Sequence, residues 1–171
     1  LNNGLDFNVK LDKLRLDPFN PFLAKLVENL RGMASGEVSI DGTIDKPVVN
    51  GEINLQKAAF TIKYLQSRYN FSERIKIINN NIYFRDMRVF DGYGNKAFIN
   101  GSLRNSYFRD LQFDIAIQAE DLLFLNTKST DNKLFYGTAF ATGLVNISGS
   151  PSNVDLKISA KTEKNTVFNL N

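Results

Sequence analysis

Two residue types with the richest side-chain chemistry, cysteine and histidine, are absent from this 171-residue chain. Their absence removes thiol nucleophiles, imidazole bases, Ser-His-Asp triads and nearly every zinc or copper site. Missing cysteine also means that no disulfide staples the domain, which fits an undemanding oxidising compartment and a reducing one equally. No apolar run approaches the roughly 18 residues of a membrane-spanning helix, and no signal-peptide pattern opens the chain. The chain starts abruptly at Leu1. The expectation is therefore a fragment whose anchor or export signal lies upstream. The basic residues do not cluster in the sequence, and 21 Lys and Arg against 18 Asp and Glu leave only +3 of net charge. No nucleic-acid partner is expected from that scatter.

What is present is apolar material in quantity. Hydrophobic residues make up 43% of the chain, with 14 Phe and 6 Tyr, enough for one domain with a real core or one continuous elongated unit. The dominant period is two. Leu5, Phe7, Val9 and Leu11 alternate with polar neighbours, as do Val38 and Ile40, Ile53 and Leu55, Ile75 and Ile77, Ile82 and Phe84, Leu111, Phe113, Ile115 and Ile117, and Val154, Leu156 and Ile158. Alternation of this kind belongs to strands with one face buried and one wetted, hence an all-β, antiparallel or edge-stacked sheet. About ten strands are expected, separated by turns at Asp45–Pro47, Asn79–Asn81, Asp91–Asn95, Arg104–Ser106, Asp131–Lys133 and Gly149–Asn153.

One segment has a different period. Phe19, Phe22, Leu23, Leu26, Val27 and Leu30 fall on one stripe of a helix, Asn20 can cap it, Pro21 suits its first turn and Gly32 can end it. A helix over about residues 19–31 is expected, packed on the sheet. A lid or membrane-surface role is the alternative, with Lys25 and Arg31 supplying the positive charge.

Three Gly-centred strand pairs, over about residues 36–62, 96–119 and 138–161, resemble one another, with Gly42, Gly101 and Gly149 at apolar parity. A loose repeat favours an elongated stack of hairpins over a closed barrel. Two reasons for these glycines stand side by side: bending of a twisted sheet, or room left for something bulky in an apolar groove.

Other chemistries have simpler structural explanations. Asp86, Asp91, Asp110, Asp114, Glu120 and Asp121 could supply an acid/base pair for glycoside cleavage, but alternation on the wetted face explains Asp110 and Asp114 without it. The Asp91–Asn95 loop lacks calcium-loop spacing and a phosphate cradle, and it reads as a hairpin turn. Tyr64, Tyr69, Tyr83, Tyr93, Tyr107 and Tyr136 could form a sugar-stacking platform, or simply fill sheet faces and edges. No catalytic residue, metal ligand or cofactor is expected.

The order of Gly36-Glu37-Val38-Ser39-Ile40-Asp41-Gly42, Lys46-Pro47-Val48-Val49-Asn50-Gly51-Glu52-Ile53, Tyr69-Asn70-Phe71, Gly92 through Gly101, Asp121 through Thr127, Phe135-Tyr136-Gly137-Thr138-Ala139 and Ala141-Thr142-Gly143 resembles the C-terminal region of TamB-like (AsmA-like) proteins, in a Bacteroidetes-type version. The likeness runs over roughly residues 30 to 160. It implies a single β-domain fragment curled into an elongated trough, in the periplasm, from a protein anchored in the inner membrane. It also implies phospholipid transport towards the outer membrane, or assembly of outer-membrane proteins with a BamA-like barrel. The lining expected on inward parity is Val38, Ile40, Ile53, Leu55, Phe60, Ile62, Phe98, Phe113, Ile115, Ile117, Val145, Ile147, Leu156 and Ile158. Open sheet edges would let an extended client strand add by β-augmentation. A glycan-binding β-sandwich is the third reading.

Overall fold

The computed structural model describes residues 4–24, 27–107 and 109–170. It is all-β, one antiparallel sheet of 11 strands. In chain order these are β1 (Gly4–Arg15), β2 (Val27–Thr43), β3 (Pro47–Ile62), β4 (Ser67–Phe71), β5 (Arg74–Ile78), β6 (Asn81–Phe90), β7 (Lys96–Ser106), β8 (Arg109–Thr127), β9 (Phe135–Ser150), β10 (Asn153–Thr162) and β11 (Val167–Leu170). Nearest neighbours in sequence are nearest neighbours in the sheet, apart from two departures: β4 and β5 share the space between β3 and β6, and β11 joins β10 on the far side of β9. An antiparallel meander of this kind follows directly from alternation broken by short turns. Asn79 and Asn80 both have positive φ, as the tight turn between β5 and β6 requires, and the turn is fastened to β3 by Asn80 Nδ2 donating to Pro47 O and Val49 N–H donating to Asn80 Oδ1. The turn expected at Arg104–Ser106 falls later, because β7 continues to Ser106, which pairs with Arg109.

The expected helix over 19–31 is corrected. Asp17–Phe19 form a 3-10 turn and Asn20–Leu23 a single helical turn, but Val27–Thr43 is a 17-residue strand; Lys25 and Leu26 lie outside the described residues. Asn20 does not cap a helix. Its side-chain carbonyl accepts the Leu30 N–H at 2.8 Å and its amide donates to Leu30 O at 2.8 Å, so it pairs with a strand backbone as a neighbouring residue would. Gly32 ends nothing, and its carbonyl accepts the Leu16 N–H. Strand pairing with β1 and β3 along nearly the whole of β2 overrides the helical stripe.

Five of the bulges that interrupt regular alternation share one form, each with a non-glycine residue in the left-handed region: Lys13, Asn29, Lys57, Asp86 and Asp121, with φ between 47° and 57°. At four of them the bulge residue's own N–H, which the ladder leaves unpaired, is taken by a short polar side chain alongside: Lys13 by Ser35 Oγ (3.0 Å), Lys57 by Ser72 Oγ (2.9 Å), Asp86 by Asn100 Oδ1 (2.8 Å) and Asp121 by Thr142 Oγ1 (2.9 Å). Bulges increase local twist and bend the strand.

Beyond the bulges the sheet folds back on itself. β4 and β8 are separated by β6 and β7 along the sheet, yet Tyr69 O–H donates to Leu123 O (2.9 Å) and Asn126 N–H to Leu65 O (2.8 Å). The core lies in this end: Ala58, Tyr69, Phe71, Met87, Val89, Ala97, Ala119 and Leu122 are buried together, with Phe60, Ile62, Ile99 and Ile117 packed against them.

Candidate apolar binding face

Residues directly opposite in register point to the same face of a sheet. One such row runs Val9, Val38, Gly51, Ile77, Ile82, Leu103, Phe113, Gly149 and Val154, from β1 to β10 without a polar side chain. The next row is Phe84, Gly101, Ile115, Ile147 and Leu156, and the one after it Met87, Ile99, Ile117, Val145 and Ile158. The intervening row on the other face reads Lys10, Glu37, Glu52, Lys76, Tyr83, Ser102, Asp114, Ser148 and Asp155. One face is therefore apolar across nine strands and the other is polar.

Of the expected lining, Val38, Ile40, Ile53, Leu55, Phe60, Ile62, Phe113, Ile115, Ile117, Val145, Ile147, Leu156 and Ile158 lie on the apolar face, with Phe60 and Ile62 brought onto it by the bulge at Lys57. Phe98 does not. It pairs with Arg88 and Gln118 on the polar face, with the Lys96 ammonium 5.5 Å over its ring. Its apolar neighbours Ala97 and Ile99 hold the inward parity.

Exposure along the apolar face is uneven. It falls to nothing at Ala58 and Ala97 in the folded-back end, whereas the rims stay open, with Phe7 55%, Leu156 52% and Ile158 64% exposed. Sequence reasoning missed further face residues at these rims and in the closed end, among them Val154, Leu122 and Leu125, although Val154 sits on the alternation that identified Leu156.

Gly101 resolves the two reasons for glycine in favour of backbone geometry. Its φ is 142°, and a Cβ there would meet the Asp114 carbonyl oxygen at 2.0 Å and the Ile115 Cα at 2.9 Å, so the neighbouring strand occupies the space. Phe84 stands opposite.

The closed end is held by Asp91. Its carboxylate is 2% exposed; Oδ1 accepts the N–H groups of Tyr93 (2.8 Å) and Asn95 (3.0 Å), and Oδ2 accepts Asn95 Nδ2 (3.0 Å) and Leu123 N–H (2.8 Å). Four donors satisfy a buried carboxylate. The loop is thus a turn that fastens β8. Asp86 and Asp121 are bulge residues, and Asp114 lies in the polar row. Among the tyrosines, Tyr69 is buried, and burial pushes its hydroxyl well above the usual tyrosine range. Tyr64 and Tyr93 instead pack edge-on against Phe135 and Phe140 of β9.

No family model, curated protein or solved structure matches this chain.

Proposed function

We propose that the chain is the lipid-holding part of a TamB-like periplasmic trough, carrying phospholipid between the inner and outer membranes, in a protein anchored outside the residues considered. The observation that carries the reading is the apolar row continuous over nine strands and open at both rims. At about 4.8 Å between strands, eight steps give roughly 40 Å of apolar path, against roughly 15 Å for the hydrocarbon of one leaflet. Each lipid methylene moved from water onto such a face stabilises by about 0.8 kcal/mol. No step of this role needs a catalytic side chain or cofactor.

Site-specific photocrosslinking in cells tests it. Crosslinkers at Leu156 and Ile158 should capture phospholipid, and crosslinkers at Lys157 and Ser159 should not. Capture by the second pair alone would reject the assignment of the lining.

A second reading, a scaffold in outer-membrane protein assembly with a BamA-like barrel, is favoured by β10. All ten of its residues are exposed and one edge of the strand is unpaired among the described residues, so an extended segment could add there. Co-purification with the barrel, abolished by a proline at Ser159, would support it; normal outer-membrane protein levels in a deletion strain would count against it. The glycan-binding sandwich finds less support, since two packed sheets are its premise and the chain forms one.

A further inference from the structure

On the polar face several charges pair across strands, as Arg74 with Glu52 (3.0 Å), Arg88 with Glu73 (3.3 Å) and Lys96 with Glu120 (3.1 Å). At one place cations gather without such partners. A depression of about 440 Å³ on this face is lined by Arg31 of β2, Lys57 of β3, Arg68 of β4 and Arg88 of β6, with Glu73 as its one acidic side chain and Phe90 among its apolar ones. Glu73 is already taken by Arg88. Arg31, Lys57 and Arg68 make no ion pair or side-chain hydrogen bond among the described residues.

The concavity has a local cause. The bulge at Lys57 bends β3, and opposite it the sheet switches from β4 to β5 through Ser72 and Glu73, with Ser72 Oγ accepting the Lys57 N–H and Glu73 exchanging backbone hydrogen bonds with Leu55. Four cations from four strands, far apart in the sequence, are brought to the rim of one hollow. Gathering like charges is unfavourable unless an anion joins them, and guanidinium groups match the oxygens of phosphate with paired N–H donors.

We infer that this hollow is a phosphate-binding site, taking either a free phosphate compound or the phosphate headgroup of a lipid surface, and separate from the apolar face on the other side of the sheet. Its occupation leaves the apolar lining untouched, so this inference stands or falls independently of the lipid-carrying role.

The test uses the whole chain and the exposed pair Arg31→Ala with Arg68→Ala, against Lys10→Ala with Lys76→Ala, which removes the same charge elsewhere on that face. Inorganic pyrophosphate is titrated by calorimetry, and co-sedimentation is measured with vesicles of phosphatidylcholine alone or with phosphatidylglycerol added. Saturable pyrophosphate binding, weakened roughly tenfold or more by the first pair and little by the second, supports the site with a soluble ligand. Co-sedimentation with phosphatidylglycerol vesicles alone, lost in the first pair and kept in the second, supports it with a lipid headgroup. Absence of both, or equal loss in the two pairs, overturns it.

Discussion

Asp91→Asn is the substitution that most directly tests how the sheet is held folded back. The change keeps the shape of the side chain but turns one of its two acceptor oxygens into a donor. Each oxygen of Asp91 receives two N–H groups, so in either orientation the new amide faces two donors, one pair being Asn95 Nδ2 and the buried Leu123 N–H. Leaving a buried donor without an acceptor costs about 1–3 kcal/mol, so two cost on the order of 2–6 kcal/mol. That is a large part of the roughly 5–15 kcal/mol that holds a domain folded. In urea unfolding, a loss of about 4 kcal/mol at a slope near 2 kcal/mol/M moves the midpoint down by roughly 2 M. Tyr69→Phe removes the other bond to the same residue, from Tyr69 O–H to Leu123 O. The two substitutions should therefore be non-additive, with a coupling of about 0.5–3 kcal/mol, and Leu123 should lose amide-exchange protection in each. A loss below about 1 kcal/mol in Asp91→Asn, with Leu123 still protected, would refute the view that this carboxylate fastens β8.

Three further outcomes follow from the packing. Because burial raises the Tyr69 pKa, the folded state keeps a proton that the unfolded chain releases; that contribution is complete below the ordinary tyrosine pKa of 10.0 and shrinks as pH rises above it. Unfolding measured from pH 9 to 11 should therefore fall by up to about 1.4 kcal/mol per pH unit more steeply in the natural protein than in Tyr69→Phe. Gly101→Ala should destabilise by roughly 2–4 kcal/mol, through the clash with the Asp114 carbonyl and the disfavoured φ, whereas Gly92→Ala, with nothing within 4 Å, should be neutral or stabilise by up to about 1 kcal/mol in the same denaturation assay. Lys57→Gly should stabilise by up to about 1 kcal/mol by relieving a left-handed lysine, while deletion of Lys57 should abolish cooperative unfolding, since it would put Ala58, Phe60 and Ile62 on the wrong face.

Much of this architecture was legible because half-buried strands write their pairing into alternation. The apolar row from Val9 to Val154 could be read strand by strand, and only its continuity needed the register. Phe98 breaks the expected lining because the apolar run Ala97-Phe98-Ile99 on β7 has no alternation of its own, and the register gives the inward parity to Ala97 and Ile99. The hollow lined by Arg31, Lys57, Arg68 and Arg88 was illegible for a different reason. Its members come from four strands, and scattered charges in the sequence say nothing about which of them the sheet sets side by side.

The helix error and the bulges share one cause. Val27-Glu28-Asn29-Leu30 places two apolar residues three apart, as a helix does, but so do Leu11-Asp12-Lys13-Leu14, Leu55-Gln56-Lys57-Ala58, Phe84-Arg85-Asp86-Met87 and Ala119-Glu120-Asp121-Leu122, and in all five the third residue is the left-handed one of a bulge. An extra residue in a strand restores the inward parity after two polar positions, so spacing of three is as much a bulge signal as a helical one. What separates the two is the partner strand. Opposite three of the bulges stand Ala34-Ser35-Gly36, Ile99-Asn100-Gly101 and Ala141-Thr142-Gly143, where the glycine pairs with the first apolar residue, the apolar one with the last, and the polar side chain between them takes the spare N–H. Gly36, Gly101 and Gly143 are thus each half of a two-strand device, and the other half is the charged pair on the neighbouring strand. Substituting Thr142 by Val keeps its size and β preference but removes the acceptor for Asp121 N–H; on an exposed bulge this should cost about 0.5–1.5 kcal/mol, and a neutral result in denaturation would show that water serves the N–H as well.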